Sequence, residues 1–253
     1  EEATNIIPFD PTDHDDSSIV RPNGYVKITF KAEKGLELTE EKAYYVKKNA
    51  GVKLSDIKND TTDYGYPGYT VETGYKFDKW DKEDKFVITD ADIVVTAKAT
   101  KLDNVIPEKD DKGNTNEKPV GYKEVKFVVK TGDEAKGSIT GVAKFYVNPT
   151  EYVKINPPAT NENTGYKFGA WDTDATIPTV YDKNTTITGS FNDLKAVIPK
   201  TKNDDSEKPK GYVTVTFEIE KLAGKEAGKI VGGETITYFV KPNIGVTIPQ
   251  PKT

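Results

Sequence analysis

Sulfur is missing from this chain, and histidine nearly so. The 253 residues include no cysteine, no methionine and one histidine, His14. Disulfides, thiolate nucleophiles, thiolate metal sites and multi-histidine metal sites are therefore excluded. Apolar runs are short as well. None approaches the roughly 18 residues of a membrane-spanning helix, so we expect no membrane insertion.

The net charge is mildly negative. The 36 lysines and arginines are outnumbered by 41 acidic residues, which gives a formal net charge of −5. A nucleic-acid partner needs a basic surface, so none is expected. The P-loop, GxSxG and HExxH patterns do not occur, and a small repeat offers little room for a catalytic cleft. The sequence therefore predicts no enzyme and no cofactor.

An internal repeat is the main feature that the chain does contain. The motif Pro-x-Gly-Tyr ends at Tyr25, Tyr122 and Tyr212, each time with a phenylalanine five residues later. The first two copies also share T-G-Y-K-F-x-x-W-D at 73–81 and 164–172, where seven of nine positions are identical. Self-similarity that stays in register indicates tandem structural units.

The repeat divides the chain into six segments. They are 1–21, the end of a preceding repeat (Ile6-Ile7-Pro8) plus a linker; 22–107, repeat 1; 108–118, a linker; 119–199, repeat 2; 200–208, a linker; and 209–253, an incomplete repeat 3. The third copy stops before the T-G-Y-K-F-x-x-W-D segment and has no tryptophan. The linkers are polar and charged and lie next to prolines, which favours an extended chain.

The hydrophobic pattern predicts a mainly β fold, with a β-rich α+β fold as the alternative. Val26, Ile28 and Phe30 alternate with an outward set that begins at Tyr25, which predicts a strand with one buried face. The segment 39–45 carries helix-start signals. Its counterparts in the other copies have strand patterns, so a strand is favoured there too.

Two groups of aromatic residues are candidate site residues. The first is the trio of the shared segment, which we expect to pack as a structural motif, with each tryptophan buried against its own phenylalanine, rather than to bind sugar. Its members are Tyr75, Phe77 and Trp80 in one copy and Tyr166, Phe168 and Trp171 in the next. The second is an insertion that only repeat 1 carries, with Tyr64, Tyr66 and Tyr69. Tyrosine and glycine together suit a recognition loop, so this insertion is the candidate ligand loop, with a tolerated surface insertion as the alternative.

The acidic linkers raise the question of calcium. Asp10, Asp13, Asp15 and Asp16 surround His14, and carboxylate oxygens are calcium ligands. The central glycine and terminal glutamate of an EF-hand loop are missing, and acidic pairs recur in the other linkers. We therefore favour solvated charge and predict no metal site. An intramolecular lysine–asparagine crosslink is left open by the sequence.

The combined motifs resemble two kinds of repeat from Gram-positive surface proteins. The Gly-Tyr-x-Phe-x-x-Trp motif and the threonine-rich closing strand resemble internalin B-type repeats. The Val-Ile-Pro ends and Lys-Pro-x-Gly-Tyr starts resemble the SHIRT repeats of adhesins. Either resemblance implies an extracellular, cell-wall-attached protein of a Gram-positive bacterium.

The resemblance also implies an architecture and a role. The expected architecture is small, β-grasp-like tandem domains in an elongated rod, monomeric in solution. The expected function is a structural stalk that projects a distal adhesin domain. The alternative is that the repeats themselves bind a host extracellular-matrix protein or glycan.

Overall fold

The computed structural model of this chain describes residues 4–12, 20–58, 65–200, 207–222, 225–226, 228–231 and 235–253. The fold is mainly β, with 44% of the residues in strands and 2% in helix, which confirms the predicted class over the α+β alternative. The chain divides into two compact units. Unit 1 comprises Glu1–Ile106, Glu117–Tyr122 and Asn148–Glu151, and unit 2 comprises Pro107–Asn116, Lys123–Val147 and Tyr152–Thr253.

Unit 1 is built around one five-stranded sheet of order β1-β4-β2-β7-β6, with a small sheet of β3 and β5 beside it. The strands are β1 (Ile6–Phe9), β2 (Tyr25–Ala32), β3 (Leu36–Leu38), β4 (Ala43–Lys47), β5 (Tyr69–Val71), β6 (Tyr75–Trp80) and β7 (Ile93–Lys101). A single helical turn, α1 (Leu54–Lys58), lies between β4 and β5. The sequence did not predict this helix.

The centre of this sheet is a parallel pair. β2 runs parallel to β7 with Ile28 opposite Ile93, while the β1–β4, β2–β4 and β6–β7 pairs are antiparallel. The register of β6 shifts between Phe77 and Lys79, as in a β-bulge, where an extra residue locally increases the twist. A parallel pair needs a long crossover, which the segment between β4 and β7 provides.

The predicted buried face of β2 is confirmed. Val26, Ile28 and Phe30 are 1%, 0% and 7% exposed and lie in the core cluster of unit 1. Tyr25 was expected on the exposed face, but it is only 6% exposed and packs in a second cluster with Phe9. Both faces of this end of the sheet are therefore covered.

A second five-stranded sheet has the order β13-β14-β9-β11-β8, and unit 2 contains its strands β9, β11, β13 and β14 together with a small β10-β12 sheet. The strands are β8 (Val105–Pro107), β9 (Lys123–Val129), β10 (Gly137–Thr140), β11 (Lys144–Val147), β12 (Ala159–Glu162), β13 (Tyr166–Trp171) and β14 (Thr185–Asp193). β14 runs parallel to β9, and β13 has a register shift between Phe168 and Ala170. The two copies thus share their strand order as well as their sequence motifs.

The last part of unit 2 forms a smaller sheet of order β15-β19-β16, antiparallel throughout, and a two-stranded β17-β18 sheet. The strands are β15 (Val197–Lys200), β16 (Val213–Glu218), β17 (Lys221–Leu222), β18 (Lys225–Glu226) and β19 (Thr235–Val240). Within the described residues, β16 is an edge strand, whereas its counterparts β2 and β9 are central.

Two local expectations can be compared with the structure. The segment 39–45 leads into strand β4, which confirms the preference for a strand. The linker 108–118 was expected to be extended, but it contains a tight turn in which the Asp110 carboxylate accepts backbone bonds from Lys112 and Asn114. Gly113 supplies a left-handed backbone at φ 83°, and short polar side chains of this kind stabilise such turns. No helix in the described ranges is long and apolar enough to cross a membrane.

Candidate functional site

In the aromatic trio of the shared segment, each tryptophan contacts the phenylalanine predicted for it but is less deeply buried than predicted. The Trp80 ring centroid lies 6.2 Å from that of Phe77 and 5.7 Å from that of Phe30. The Trp171 ring lies 5.2 Å from Phe168 and 5.0 Å from the Phe127 ring. Both indoles are half-buried rather than buried. The reason is their position on β6 and β13, the edge strands of the two sheets.

The Trp-Asp pair that ends the shared segment has a structural explanation. Asp81 accepts a hydrogen bond from the Thr96 backbone N–H at 2.7 Å, and Asp172 accepts one from Thr188 at 2.9 Å. In each copy the carboxylate thus satisfies a backbone donor of the closing strand next to the bulge. Buried or half-buried backbone donors need such partners.

The tyrosine insertion contributes to the core of unit 1. The Tyr66 ring lies 4.9 Å from Phe30 and 5.1 Å from Trp80, and its burial raises the pKa of the phenol, helped by the nearby charges of Asp84 and Asp81. The insertion therefore packs against Phe30 and Trp80, positions that both complete copies share, instead of standing apart from them.

The other two tyrosines of the insertion differ from Tyr66. Tyr69 stacks on Phe77 at 4.3 Å and is 37% exposed. Tyr64 lies outside the described residues. Because Tyr66 is engaged in packing, Tyr69 is the described member of the insertion that presents a ring to solvent. The ligand role of the loop stays a prediction.

The end of each repeat forms an edge strand, and we call β1, β8 and β15 the tail strands. β1 pairs with β4 from Ile6–Val46 to Phe9–Ala43, and β15 pairs with β19 from Val197–Val240 to Lys200–Thr237. Each tail strand therefore belongs to the sheet whose Pro-x-Gly-Tyr motif follows it in sequence. The Ile-Ile-Pro and Val-Ile-Pro segments are thus structural parts of the sheet that follows them.

The tyrosine of the Pro-x-Gly-Tyr motif fixes the start of the tail strand. The Tyr25 hydroxyl donates to the Thr4 carbonyl at 2.8 Å, Tyr122 to the Asp103 carbonyl at 3.0 Å, and Tyr212 to the Lys195 carbonyl at 2.9 Å. In each case the acceptor lies two residues before the tail strand. Burial raises the pKa of both Tyr122 and Tyr212, so these phenols stay protonated and remain donors.

A second recurring bond holds the residue next to that acceptor. The backbone N–H of Lys47 donates to the Asn5 carbonyl, that of Asn148 to Asn104 and that of Lys241 to Ala196, at 2.9, 2.9 and 2.8 Å. Each donor lies at the end of the strand with which the tail strand pairs: Lys47 is the last residue of β4, and Asn148 and Lys241 directly follow β11 and β19. Each tail strand is therefore held by a side-chain bond and a backbone bond at its entry.

The glycine of the same motif makes a close contact with the preceding copy. A Cβ added at Gly121 would collide with Thr73 within unit 1, and one added at Gly211 would collide with Thr164 within unit 2. Both glycines also have a left-handed backbone, with φ of 81° and 78°. Only glycine combines this conformation with such a close approach. We call the tail strand, its tyrosine and this threonine–glycine contact the joint.

Unit 2 shows a further charge contact at its joint. The Lys241 ammonium lies 5.2 Å from the centroid of the Tyr166 ring, a cation–π geometry. Lys210 also donates to the Asn161 side chain. The third copy is thus attached to the second by polar and cation–π contacts as well as by β15.

Other charged groups have structural partners. The Asp133 carboxylate accepts the Phe191 backbone N–H at 2.9 Å and pairs with Lys136 at 3.1 Å. These two contacts, with the backbone bond first, hold the pKa of Asp133 below its usual value. In unit 1 the Arg21 guanidinium pairs with Asp92 and lowers the pKa of that carboxyl.

The described residues contain no cluster of three or more acidic, cysteine or histidine side chains that could hold a metal. The side chain of Asp10 accepts bonds from Thr12. The other members of the candidate calcium cluster, Asp13, His14, Asp15 and Asp16, lie outside the described residues.

The joint tyrosines are the functional candidates that sequence reasoning missed. Their signal was present, because the same tyrosine and the same Ile-Pro pair recur in every copy. Sequence alone could not show that the tyrosine hydroxyl binds the segment that leads into the Ile-Pro strand. Comparison with protein families, curated proteins and solved structures finds no match to this chain.

Proposed function

We propose that this chain is a set of tandem stalk repeats from a cell-wall-anchored, extracellular protein of a Gram-positive bacterium. Its role is structural and non-enzymatic: to project a distal adhesin domain from the cell surface. The motifs that resemble Gram-positive surface repeats suggest this setting. The physical support comes from the joints.

The observation that carries the proposal is the recurrence of the joint. In unit 2 the chain leaves β14, the closing strand of one copy, and within a few residues enters β15 in the sheet of the next. The same tyrosine bond and the same threonine–glycine contact mark the joint of unit 1. A freely jointed string of domains would not need to repeat these contacts, whereas an array that resists a pulling force would.

The finer architecture is part of the same proposal. We infer β-grasp-like domains in an elongated, monomeric rod. A parallel central pair flanked by antiparallel strands supports the β-grasp-like assignment. The extended shape is inferred from the tandem repeat of the sequence, because in linear repeat proteins each unit generally contacts only its neighbours.

Small-angle scattering tests the shape. A compact globule of this length has a radius of gyration of about 18 Å. An array of two complete repeats and a partial one should form a rod on the order of 100 Å, with a radius of gyration near 30 Å. A value close to the globular one would remove the main physical support for a stalk.

Direct binding of a host matrix protein or glycan is the second candidate function. The observation in its favour is a shallow groove in unit 2, lined by Trp171, Lys130, Asp172 and Thr188. A half-buried indole beside polar groups offers a stacking surface with hydrogen-bonding partners. An NMR titration with glycans that moves the Trp171 indole signal, and loses that shift in Lys130→Ala, would favour this function over the stalk alone.

A further inference from the structure

The groove beside Trp171 has a counterpart position in repeat 1, which the strand registers define. In unit 2, Ala170 of β13 lies opposite Ser190 of β14, and both line the groove. In unit 1 the same register places Lys79 of β6 opposite Lys98 of β7. The two small residues that line the groove in unit 2 are therefore lysines in unit 1.

A third groove residue has the opposite charge in the two copies. The Lys130 backbone N–H donates to the carbonyl of Gly189, the residue opposite the tryptophan of unit 2. In unit 1 the equivalent bond runs from Glu33 to Ala97, the residue opposite the tryptophan there, so Glu33 corresponds to Lys130. The Glu33 carboxylate pairs with the Lys98 ammonium at 3.4 Å. Unit 1 therefore has an ion pair at the position where unit 2 has a groove.

The surroundings of the two indoles differ as well. In unit 1 the Tyr66 ring of the insertion lies 5.1 Å from the Trp80 ring, and repeat 2 has no such insertion. In unit 2 a Cβ added at Gly189 would lie 2.7 Å from the Trp171 ring, so the indole lies directly over bare backbone. Without the insertion and the ion pair, this part of unit 2 is an open groove of about 390 Å³, a volume within the range of small-molecule sites.

Two side chains of opposite charge line this groove. The Asp172 carboxylate accepts the Thr188 backbone N–H at 2.9 Å, which orients it, and its second oxygen can accept a further bond. Lys130 offers only donors. The acidic side chain near Lys130 is Asp133, which is paired with Lys136 at 3.1 Å. The groove therefore presents a donor and an acceptor to a ligand.

This combination suits a neutral pyranose sugar. One face of such a ring carries C–H groups, which stack on an indole, and its hydroxyls both donate and accept hydrogen bonds. One hydroxyl can accept from Lys130 while the hydroxyl on the next carbon donates to Asp172. An acidic sugar would satisfy Lys130 but would bring a second negative charge close to Asp172, and like charges repel.

We propose that the groove of unit 2, and not its counterpart position in unit 1, binds a neutral pyranose, with the C–H face of the sugar on Trp171 and its hydroxyls on Lys130 and Asp172. Galactose fits best, because its axial hydroxyl leaves the C–H groups together on one face and the groove offers a single indole. The inference rests on the second candidate function, glycan binding, and adds to it the site, the copy and the class of sugar.

The test is an NMR titration of the whole chain with methyl β-galactoside. The two tryptophans of the chain lie one in each complete repeat, so each position has its own reporter. The Trp171 indole N–H signal should shift saturably, and that of Trp80 should not. Lys130→Glu combined with Ser190→Lys rebuilds the ion pair of unit 1 and should weaken binding about tenfold or more, because the new side chains refill the groove. Lys126→Ala removes an exposed lysine of the same strand that does not line the groove, and binding should stay within about twofold of the parent.

Two further measurements need no variant. Intermolecular NOEs should connect the Trp171 ring protons to the C–H protons of the sugar. Sodium glucuronate should bind about fivefold more weakly than the galactoside, because of the charge on Asp172.

The outcomes separate this inference from the candidate function on which it rests. Equal binding by the double variant, an equal shift at Trp80, tighter binding of glucuronate, or saturable shifts confined to residues outside the groove would overturn the inference and leave glycan binding elsewhere on the chain standing. No saturable shift with methyl glycosides of galactose, glucose or mannose would overturn both.

Discussion

Replacing Trp171 by alanine should destabilise unit 2 by about 3 kcal/mol. A tryptophan buries on the order of 200 Å² when fully packed, and a half-buried indole buries roughly half of that. At about 25 cal/mol per Å² this gives roughly 2.5 kcal/mol. The lost ring contacts with Phe127 and Phe168 add about 0.5 kcal/mol or more.

The matched control is Trp171→Phe. A phenyl ring keeps an aromatic contact with Phe127 and leaves less empty space beside Gly189, over which the indole lies. The expected cost is about 1 kcal/mol, since a smaller apolar ring preserves most of the packing. Comparing the two variants separates the contribution of a ring at this position from that of the indole itself.

Native-state hydrogen exchange is the appropriate assay because it reports each sheet separately. A loss of about 3 kcal/mol should accelerate exchange of the β9 and β14 amides roughly 100-fold, since 1.4 kcal/mol is a factor of ten. The β2 and β7 amides of unit 1 should keep their parental rates. Parental exchange in β9 and β14, or equal acceleration in β2, would refute the reasoning.

Three further predictions follow from the packing and the charges. Tyr66→Ala should lower the unfolding free energy of unit 1 by about 2–3 kcal/mol; unchanged denaturant melting would show that the ring does not stabilise the core. Folding lowers the pKa of Asp133. Its contribution to the free energy of unfolding is therefore present above the unfolded pKa of about 4 and is lost as the pH falls through the lower, folded pKa. Asp133→Asn should therefore flatten the acid-side loss of unit 2 stability in pH-dependent melts, and an unaltered acid limb would contradict this. Tyr212→Phe removes the hydrogen bond to the Lys195 carbonyl, two residues before the tail strand, worth about 1 kcal/mol; exchange of the β15 amides should rise about fivefold, and unchanged rates would show that the bond does not hold the strand.

The strands and their buried faces could be predicted because period-two alternation depends on local chemistry. Val26, Ile28 and Phe30 follow the pattern and are buried. The helix signals at 39–45 were overridden by tertiary pairing in β4. Comparison with the other copies identified this in advance, because a repeat must use the same element at the same position.

How deeply the tryptophans are buried was less predictable than which residues they contact. Spacing placed Phe77 and Phe168 beside them, and the ring distances confirm it. Burial depends instead on whether β6 and β13 are central or edge strands. That depends on the strand order of the whole sheet, which is not a property of the motif.

The tail strands were beyond sequence reasoning for a similar reason. A Val-Ile-Pro run has strand character whichever sheet it joins, and its position after the closing strand suggested the copy it ends. The decisive observation is the hydrogen bond that the Tyr25 hydroxyl donates to the Thr4 carbonyl, two residues before β1. Because Tyr25 is out of phase with Val26, Ile28 and Phe30, the alternation assigned it to the solvent face, and the pattern could not show its long-range partner.

In the proposed stalk, the joint is the place where one copy would transmit load to the next. Tension in β14 would pass along the short connection from Asp193 to Val197 before it reached the next sheet. There it meets the four paired residues of β15, together with the Tyr212 hydroxyl bond and the Lys241 backbone bond at the entry. Detaching the tail strand therefore requires the loss of ladder bonds and of both anchors. Since the anchors lie at the end where tension arrives, they are the first contacts that a pulling force tests, and their recurrence in every copy fits a function in which the joint resists extension.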